Sequence, residues 1–366
     1  MIAHLREAGV ELDVFTRSRP SPEPGMRVHT VSGAAKTRTR ASITFTHRVD
    51  LRIQAEKFDV VHAISPCLTA DIYQPRGGTV AESVERNLAM LRHGTTRSLK
   101  RLANHLNFKR RYQLAIERKL LAPRPRPIVV AISDYVVRQL KQHYRLTDER
   151  IRKIYNAVEP DHTGEQQRLR NRQAIRREYR VADDELLVIL VAHNYRLKGV
   201  GCWMEVLARL VHQHSLGIRS VVIGKAPAQR WRMRARRLGI SANLAFTGRT
   251  NRVRAFMHAA DVLVHPTYYD PCSRVVLEAL VSALPCVTTR WDGASEMIED
   301  GVNGFIVADP TDIDAISRRI MALRDRPRRL AMGRAATKVA GRVHAADHAR
   351  SVVALYKELA GLLSPV

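Results

Sequence analysis

Short apolar runs alternate with amphipathic stretches along almost the whole chain. This alternation limits the possible folds more than any other feature of the sequence. In the first half the candidate strands are Val10–Thr16, Met26–Val31, Asp59–Ile64, Asp71–Pro75 and Pro127–Ser133. In the second half they are Glu185–His193, Arg219–Lys225, Asn243–Gly248, Asp261–Pro266, Pro285–Thr289 and Gly304–Asp309. Helical patterns separate many of them, and Ser133–Tyr144 opens on a good N-cap. Strands this short and this apolar are buried on both faces, so they belong to parallel sheets covered by helices. The pattern lapses over Asn156–Glu165, where "YNAVEPDHTGEQQ" brings a proline and a glycine. A chain of 366 residues divided there makes two Rossmann-like α/β domains. They are expected at residues 1–160 and 161–345. A last amphipathic helix over His344–Leu363, which makes up most of a C-terminal segment 346–366, is expected to pack back toward the first.

Several function classes are disfavoured. No run of about 18 apolar residues would let a helix cross a membrane, and the first twenty residues lack a signal-peptide pattern. The four cysteines form no CxxC pair and no zinc-type spacing, which points to a reducing compartment and no structural metal. The net charge of +26 has two readings: a standing anionic partner, or an arginine-rich surface of compositional origin. Nucleic-acid binding is the rival that charge alone suggests. An aromatic content of 5% and the lack of a helix-turn-helix or zinc pattern argue against it.

The stretch "YYDPCSRVVLEALVSALPCVTT", residues 268–289, reads as a loop, a helix over Val275–Ala283 and a strand start. A carboxylate inside so apolar a helix is costly to bury unpaired. In one reading Arg274, Glu278 and Ser282 form a narrow polar stripe facing water. The i,i+4 pair would then be worth only about 0.3 kcal/mol in this orientation. In the other, Glu278 points into a cleft and accepts bonds from ligand hydroxyls. Two loops favour the second. In "VAHNYRLKGV" Arg196 and Lys198 follow a strand, at the edge where open α/β sheets bind ligands, and a fork and a point charge suit a diphosphate. The amides of Ser273, Arg274 and Val275 would lie at a helix N-terminus, a second phosphate site. Solvated loop charges remain the blander account of Arg196 and Lys198 in so basic a chain.

These residues also resemble a known family, the retaining family 4 glycosyltransferases of GT-B fold. Asp270-Pro-Cys-Ser-Arg-Val-Val-Leu-Glu278-Ala-Leu-Val-Ser-Ala-Leu-Pro285-Cys resembles the pattern E-x-F-G-x-x-x-x-E-A-x-x-x-G-x-P-V, with Asp for the first Glu and Ser273 for a Gly. "IYNAVEP", "NYRLKGV", "FTG", "AADVLVHPT" and "DGASEMIEDGVNGFIVADPTD" resemble further blocks in the family's order, the last resembling G-G-x-x-E-x-I-x-D-G-x-x-G. "YQPRGGT" and "ERNLAMLRHG" resemble the lipopolysaccharide-core glucosyltransferase branch more loosely. The resemblance implies two Rossmann-like domains facing a cleft, with donor on the second and acceptor on the first. It implies that Glu278 binds the donor ribose, Arg196 and Lys198 the diphosphate, and Asp270 the donor sugar. Ser273, Arg274, Val275, Gly248 and Arg249 complete the donor-binding set. The expected donor is a nucleotide-sugar, UDP-glucose first and GDP-mannose as the alternative. The expected acceptor is a lipid-linked or envelope glycan, and no metal or cofactor is expected.

Two features extend this. The family's first strand and Gly-rich loop have no counterpart before "MIAHLREAGVELDVFTR", so the first sheet is expected to lack a central strand and expose two edges. An inactive remnant is therefore a rival reading. Secondly, Arg97–Leu120 carries Arg97, Lys100, Arg101, Lys109, Arg110, Arg111, Arg118 and Lys119 against one acid, Glu117. It reads as a basic amphipathic helix touching an anionic membrane surface, or as a solvated helix packed on its own domain. The first of these places the protein in the cytoplasm, peripheral to the inner membrane.

Overall fold

In the computed structural model the described residues are 2–17, 25–31, 38–91, 94–122, 127–225 and 228–361. The chain forms two compact units, Met1–Asn156 with Ala345–Val366, and Ala157–His344. Each is an α/β unit with parallel strands. Among the described residues the chain has twelve strands, β1 (Leu12–Thr16), β2 (Met26–Thr30), β3 (His62–Ala63), β4 (Ile72–Tyr73), β5 (Ile128–Ala131), β6 (Ile151–Lys153), β7 (Leu186–Val191), β8 (Ile218–Ile223), β9 (Leu244–Gly248), β10 (Val262–His265), β11 (Cys286–Thr289) and β12 (Gly304–Val307).

The first unit holds two sheets, β1-β2 and β3-β4-β5-β6. The sequence shows all but one of these strands. β6 is three residues long with two cations, too short to display an alternation. The strands expected over Asp59–Ile64 and Asp71–Pro75 shrink to two residues each. The C-terminal helix Ala345–Leu359 belongs to this unit. Its Ala349, Val352 and Val353 pack with Leu5, while Leu355 joins Ile72, Ile128 and Val130. Leu362 and Leu363, expected on the same apolar face, lie outside the described residues. Arg97–Leu120 is not one helix but two, Gly94–Leu106 and Phe108–Leu120. Asn107 is the reason: its side chain caps the second helix, accepting from the Arg110 amide at 3.1 Å.

The second unit is a single six-stranded parallel sheet, ordered β12-β11-β10-β7-β8-β9. Every residue from Leu186 to Leu190 is buried, as expected of a central strand covered on both faces. Trp203 fills the core beneath β8 and donates to the Ser220 hydroxyl at 2.8 Å. Strand order reverses between β10 and β7. The carboxyl ends of strands at such a switch point are where open α/β sheets bind ligands.

At the amino edge of this sheet a buried acid gathers three guanidinium groups. Asp261 accepts from Arg176 at 3.0 Å and Arg172 at 3.1 Å, with Arg329 at 3.5 Å. It also accepts from the Leu187 amide at 2.8 Å, which ties the start of β7 to β10. Removing the charge strands the arginines, so Asp261→Asn is expected to lower stability by about 3 kcal/mol. Urea denaturation followed by tryptophan fluorescence measures this. A loss under about 1 kcal/mol would mean that the cluster is no more than a surface ion pair.

Candidate functional site

The loop after β7 carries Arg196, Lys198 and Gly199. Gly199 has φ 68°, and a Cβ there would sit 1.9 Å from the Pro266 carbonyl oxygen. Only glycine lets the β7 loop approach the β10 loop so closely. The two loops are then stitched together: the Tyr268 amide donates to Leu197 O at 2.9 Å and the Thr267 hydroxyl to the same oxygen at 3.2 Å. Lys198 is buried by this contact. Its ammonium donates to Asp270 Oδ2 at 2.5 Å and to the Tyr269 carbonyl at 3.2 Å. His265 Nε2 lies 3.4 Å from the same carboxylate oxygen. Burial would raise the Asp270 pKa, but Lys198 and His265 overcome it and hold the carboxyl well below the usual range. Arg196 is exposed beside them and makes no side-chain hydrogen bond or ion pair among the described residues.

Asp270 leads into the helix Arg274–Val281, which starts one residue earlier than the pattern suggested and stops where Ala283 turns left-handed at φ 61°. Ser273 is its N-cap, accepting from the Val276 amide. One expectation is corrected here. The Ser273 amide does not face a ligand; it donates to Asp292 Oδ1 at 3.0 Å. The amides of Arg274 and Val275 form the open first turn that an anion can use. One turn on, Glu278 is half-buried. Burial raises its pKa, with Arg274 and Arg254 opposing. The Arg274 guanidinium is 3.6 Å away, beyond a good hydrogen bond. Along the supposed water-facing stripe, Arg274 is exposed but Ser282 is buried, so the three do not share one solvent environment. Gly248 and Arg249 end β9 on the same edge of the sheet. Gly248 is left-handed at φ 74° and its carbonyl accepts from the Gly224 amide at 2.9 Å, while Arg249 is exposed. They lie two strands from β7, farther from Asp270 than the other candidates.

Two residues of this site were not singled out from the sequence. His265 is one. Asp292, fully buried, is the other. Asp292 accepts from the amides of Ser273 and Ala294 and from the Thr288 hydroxyl at 3.0 Å. Burial first, and then the nearby Asp270 charge, push its pKa up to about 6. A signal existed: Asp292 occupies the position of the first Gly in the G-G-x-x-E pattern. In the first unit Glu82, Glu85 and His143 bring ligand atoms within 4.8 Å of one another. Glu82 already accepts from Tyr135 and pairs with His143, which accounts for that grouping without an ion.

A six-stranded parallel sheet with a buried Lys–Asp pair at its switch point, beside an open helix terminus, defines a protein of the open parallel α/β class, whose ligands bind at such a point. A family profile described as "Glycosyltransferase Family 4" matches residues 1–162, and one described as "Glycosyl transferases group 1" matches residues 171–339. The chain belongs to the family 4 glycosyltransferases, with the GT-B fold. It is 26% identical over 227 residues to the lipopolysaccharide glucosyltransferase WaaG of Escherichia coli K12, a stretch covering 62% of this chain and 61% of that protein. The match thus spans less than two thirds of that relative. The crystal structure of a WaaG superposes with a TM-score of 0.83 at 22% identity, covering 97% of this chain and 94% of the other. That of Anabaena Alr3699/HepE with UDP-glucose superposes with a TM-score of 0.67 at 16% identity, covering 90% and 86%.

The Asp292 carboxyl sets a pH dependence whose sign is fixed. Its folded pKa of about 6 lies above the usual 3.8, so its ionisation opposes folding. The stability it contributes is full below pH about 4 and is lost as pH rises toward about 6. Asp270, shifted the other way, acts only below that window. In Asp292→Asn, which keeps an oxygen for the two amides, the fall between pH 4 and 6 should be smaller than in the wild type. Urea midpoints at pH 4.5 and 7 test this. Parallel pH profiles would show that Asp292 ionises normally.

Proposed function

We propose that this chain transfers a hexose from a nucleotide-sugar to a lipopolysaccharide-type or other envelope glycan, with retention of anomeric configuration. UDP-glucose is the first candidate donor and GDP-mannose the alternative. The reading rests above all on one arrangement. Lys198, Asp270 and the open first turn at Arg274 and Val275 meet at the switch point of the second unit, with Glu278 one turn behind. That order follows the parts of a nucleotide-sugar, a sugar, then phosphates, then a ribose. The relatives support it: WaaG is named a lipopolysaccharide glucosyltransferase, and HepE was crystallised with UDP-glucose.

In this reading the exposed Arg196 guanidinium and the Lys198 ammonium neutralise the diphosphate as the sugar–oxygen bond breaks, helped by the two helix amides. Asp270 accepts from donor sugar hydroxyls and keeps Lys198 in place. The acceptor hydroxyl attacks from the face the diphosphate leaves, and its proton passes to the leaving phosphate oxygen. Gly248 and Arg249 are assigned to the base. The reaction calls for no metal or cofactor. Asp270 is a methylene shorter than the Glu of the family pattern, and this bears on sugar preference more than on turnover.

Glu278→Gln is expected to weaken UDP-glucose binding about tenfold to a hundredfold, the value of a charge-assisted bond to ribose hydroxyls. Calorimetry reads this, and an unchanged Kd would return Glu278 to a surface role.

The basic segment supports a cytoplasmic protein held at an anionic membrane face. Leu99, Leu102 and Phe108 are 68%, 60% and 66% exposed, so these apolar residues are not packed on their own unit. No helix of the described residues is long and apolar enough to cross a membrane. Replacing Leu99 and Leu102 together by Gln removes apolar anchors worth about 1.5–3 kcal/mol each when buried. Flotation with phosphatidylglycerol vesicles should fall at least tenfold. Equal flotation by both proteins would exclude this segment as the anchor.

A further inference from the structure

Asp292 has no direct contact to make with a nucleotide-sugar, yet it stands behind every group that does. It is fully buried. Its backbone is locked to that of Asp270: the Asp270 amide donates to the Trp291 carbonyl and the Gly293 amide to the Asp270 carbonyl, both at 2.9 Å. The two carboxyl groups therefore cannot move apart to relieve their repulsion. The charged or titratable groups facing Asp292 are Asp270, His265 and the Cys286 thiol. Lys198 is one contact further off and bonds Asp270, the other carboxylate.

A hydrogen count shows which form of Asp292 the structure suits. Thr288 Oγ1 is 3.1 Å from the His265 carbonyl oxygen and 3.0 Å from Asp292 Oδ2. A hydroxyl has one hydrogen to give and two lone pairs. With Asp292 ionised, that hydrogen serves only one of the two oxygens, and the other faces a lone pair away from water. With Asp292 protonated on Oδ2, the acid donates to Thr288 and Thr288 donates to the His265 carbonyl, so the bond to Thr288 reverses and every group is satisfied. Asp292 Oδ1 keeps the amides of Ser273 and Ala294, at 3.0 and 2.9 Å, in both forms. Burial beside Asp270 acts in the same direction.

The place of this acid matters to an arriving anion. Through the Ser273 amide, Asp292 sits at the N-terminus of the helix Arg274–Val281, the end where the amides of Arg274 and Val275 stay open. The positive end of a helix favours one negative charge. An ionised Asp292 supplies that charge from inside and repels a second one. A neutral Asp292 leaves both the helix terminus and Lys198 to the ligand. A charge on Asp292 and an anion at this terminus are therefore alternatives.

We propose that Asp292 is a positioning residue whose proton is a condition of donor binding: the anion binds with Asp292 neutral, and where that proton has been lost, binding draws one back from solvent. That the anion is the diphosphate of a nucleotide-sugar rests on the reading above; the coupling of anion to proton does not. Asp292 touches no substrate and acts through the Ser273 amide and Asp270. The sign is fixed, because the bound state holds the proton more firmly than the free one. Affinity is highest while Asp292 is neutral and declines as the pH rises past about 6. The decline is at most about tenfold per pH unit, the slope for one linked proton.

Calorimetry on the full chain tests the proposal, with UDP-glucose and inorganic sulfate as probes, since neither titrates between pH 5.5 and 8.5. Each is titrated across that range, and at pH 7 in two buffers of different ionisation enthalpy, which counts the protons exchanged. Wild type should take up part of a proton at pH 7 and bind UDP-glucose at least about threefold more tightly at pH 5.5 than at 8.5. Asp292→Asn cannot ionise, and its amide nitrogen donates to Thr288 as the neutral acid does. It should bind UDP-glucose with no proton uptake and with the same affinity at both ends of the range. His265 is the rival carrier, because its Nδ1 is buried without a hydrogen-bond partner among the described residues. Uptake should therefore survive in His265→Gln. Thr288→Val removes the hydroxyl partner and should move the midpoint of the binding profile by about half a pH unit or more, while Thr288→Ser should not. That pair decides the matter if Asp292→Asn does not fold. Sulfate bound with proton uptake when UDP-glucose is not bound at all would count against the nucleotide-sugar reading and in favour of the coupling. The proposal is overturned if neither probe binds with proton uptake, or if Asp292→Asn takes up as much as the wild type. It is overturned equally if His265→Gln abolishes the uptake, or if Thr288→Val leaves the profile unchanged.

Discussion

Two carboxyl groups and one ammonium, packed together largely out of solvent, hold the second unit's site together. Asp270 and Asp292 approach each other at the ends of β10 and β11, where their backbones form a bridge. Two buried like charges this close cannot both be comfortable. The structure resolves the conflict by unequal solvation. Asp270 takes Lys198 and His265 and stays ionised, while Asp292 takes two amides and a hydroxyl and is pushed toward neutrality. The Lys198–Asp270 pair in turn fixes the β7 loop against the β10 loop, and Asp292 fixes the start of the helix Arg274–Val281 through Ser273. Loop, strand end and helix terminus are thus positioned by one charge set. Burying it contributes little net stability, and its effect is on geometry.

That set was only half legible in the sequence. Asp270, Lys198 and Glu278 stand out because charge is rare in apolar surroundings, and the spacing from Asp270 to Glu278 matches a family pattern. Asp292 does not stand out, because an Asp before a Gly reads first as an ordinary turn. Its role depends on β10 and β11 lying side by side, and register across strands far apart in sequence is invisible to local pattern. The Ser273 amide was misjudged for the same reason. The second unit's strands were legible because each carries an apolar run, and all but β9 are largely buried. In the first unit, β6 and the break at Asn107 were not, since three residues show no period and one cap in a basic run looks like any other polar residue.

Arginines of the second unit include two sets gathered on shared acids. Arg172, Arg176 and Arg329 surround Asp261, and Arg168 and Arg254 with His258 surround Asp161. Each cluster leaves local charge positive while every guanidinium has a carboxylate within reach. A surplus of arginine of this kind follows from how the unit is built, and asks for no external anion.

The start of the helix Phe108–Leu120 is the contrary case. Among the described residues its cations share no acid; they lie where the helix dipole disfavours them, next to exposed Phe108 on one side and a cavity on the other. The net charge of +26 is therefore not one fact but two. Part of it sits in clusters where several cations share one acid, which puts a carboxylate near each guanidinium without reducing the total. The part at Lys109 and Arg110 is uncompensated and localised, so it is felt by an arriving anion over roughly a Debye length of 8–10 Å. The number of basic residues does not separate a decorated surface from a binding surface. The separation comes from asking, residue by residue, which cations already have a carboxylate.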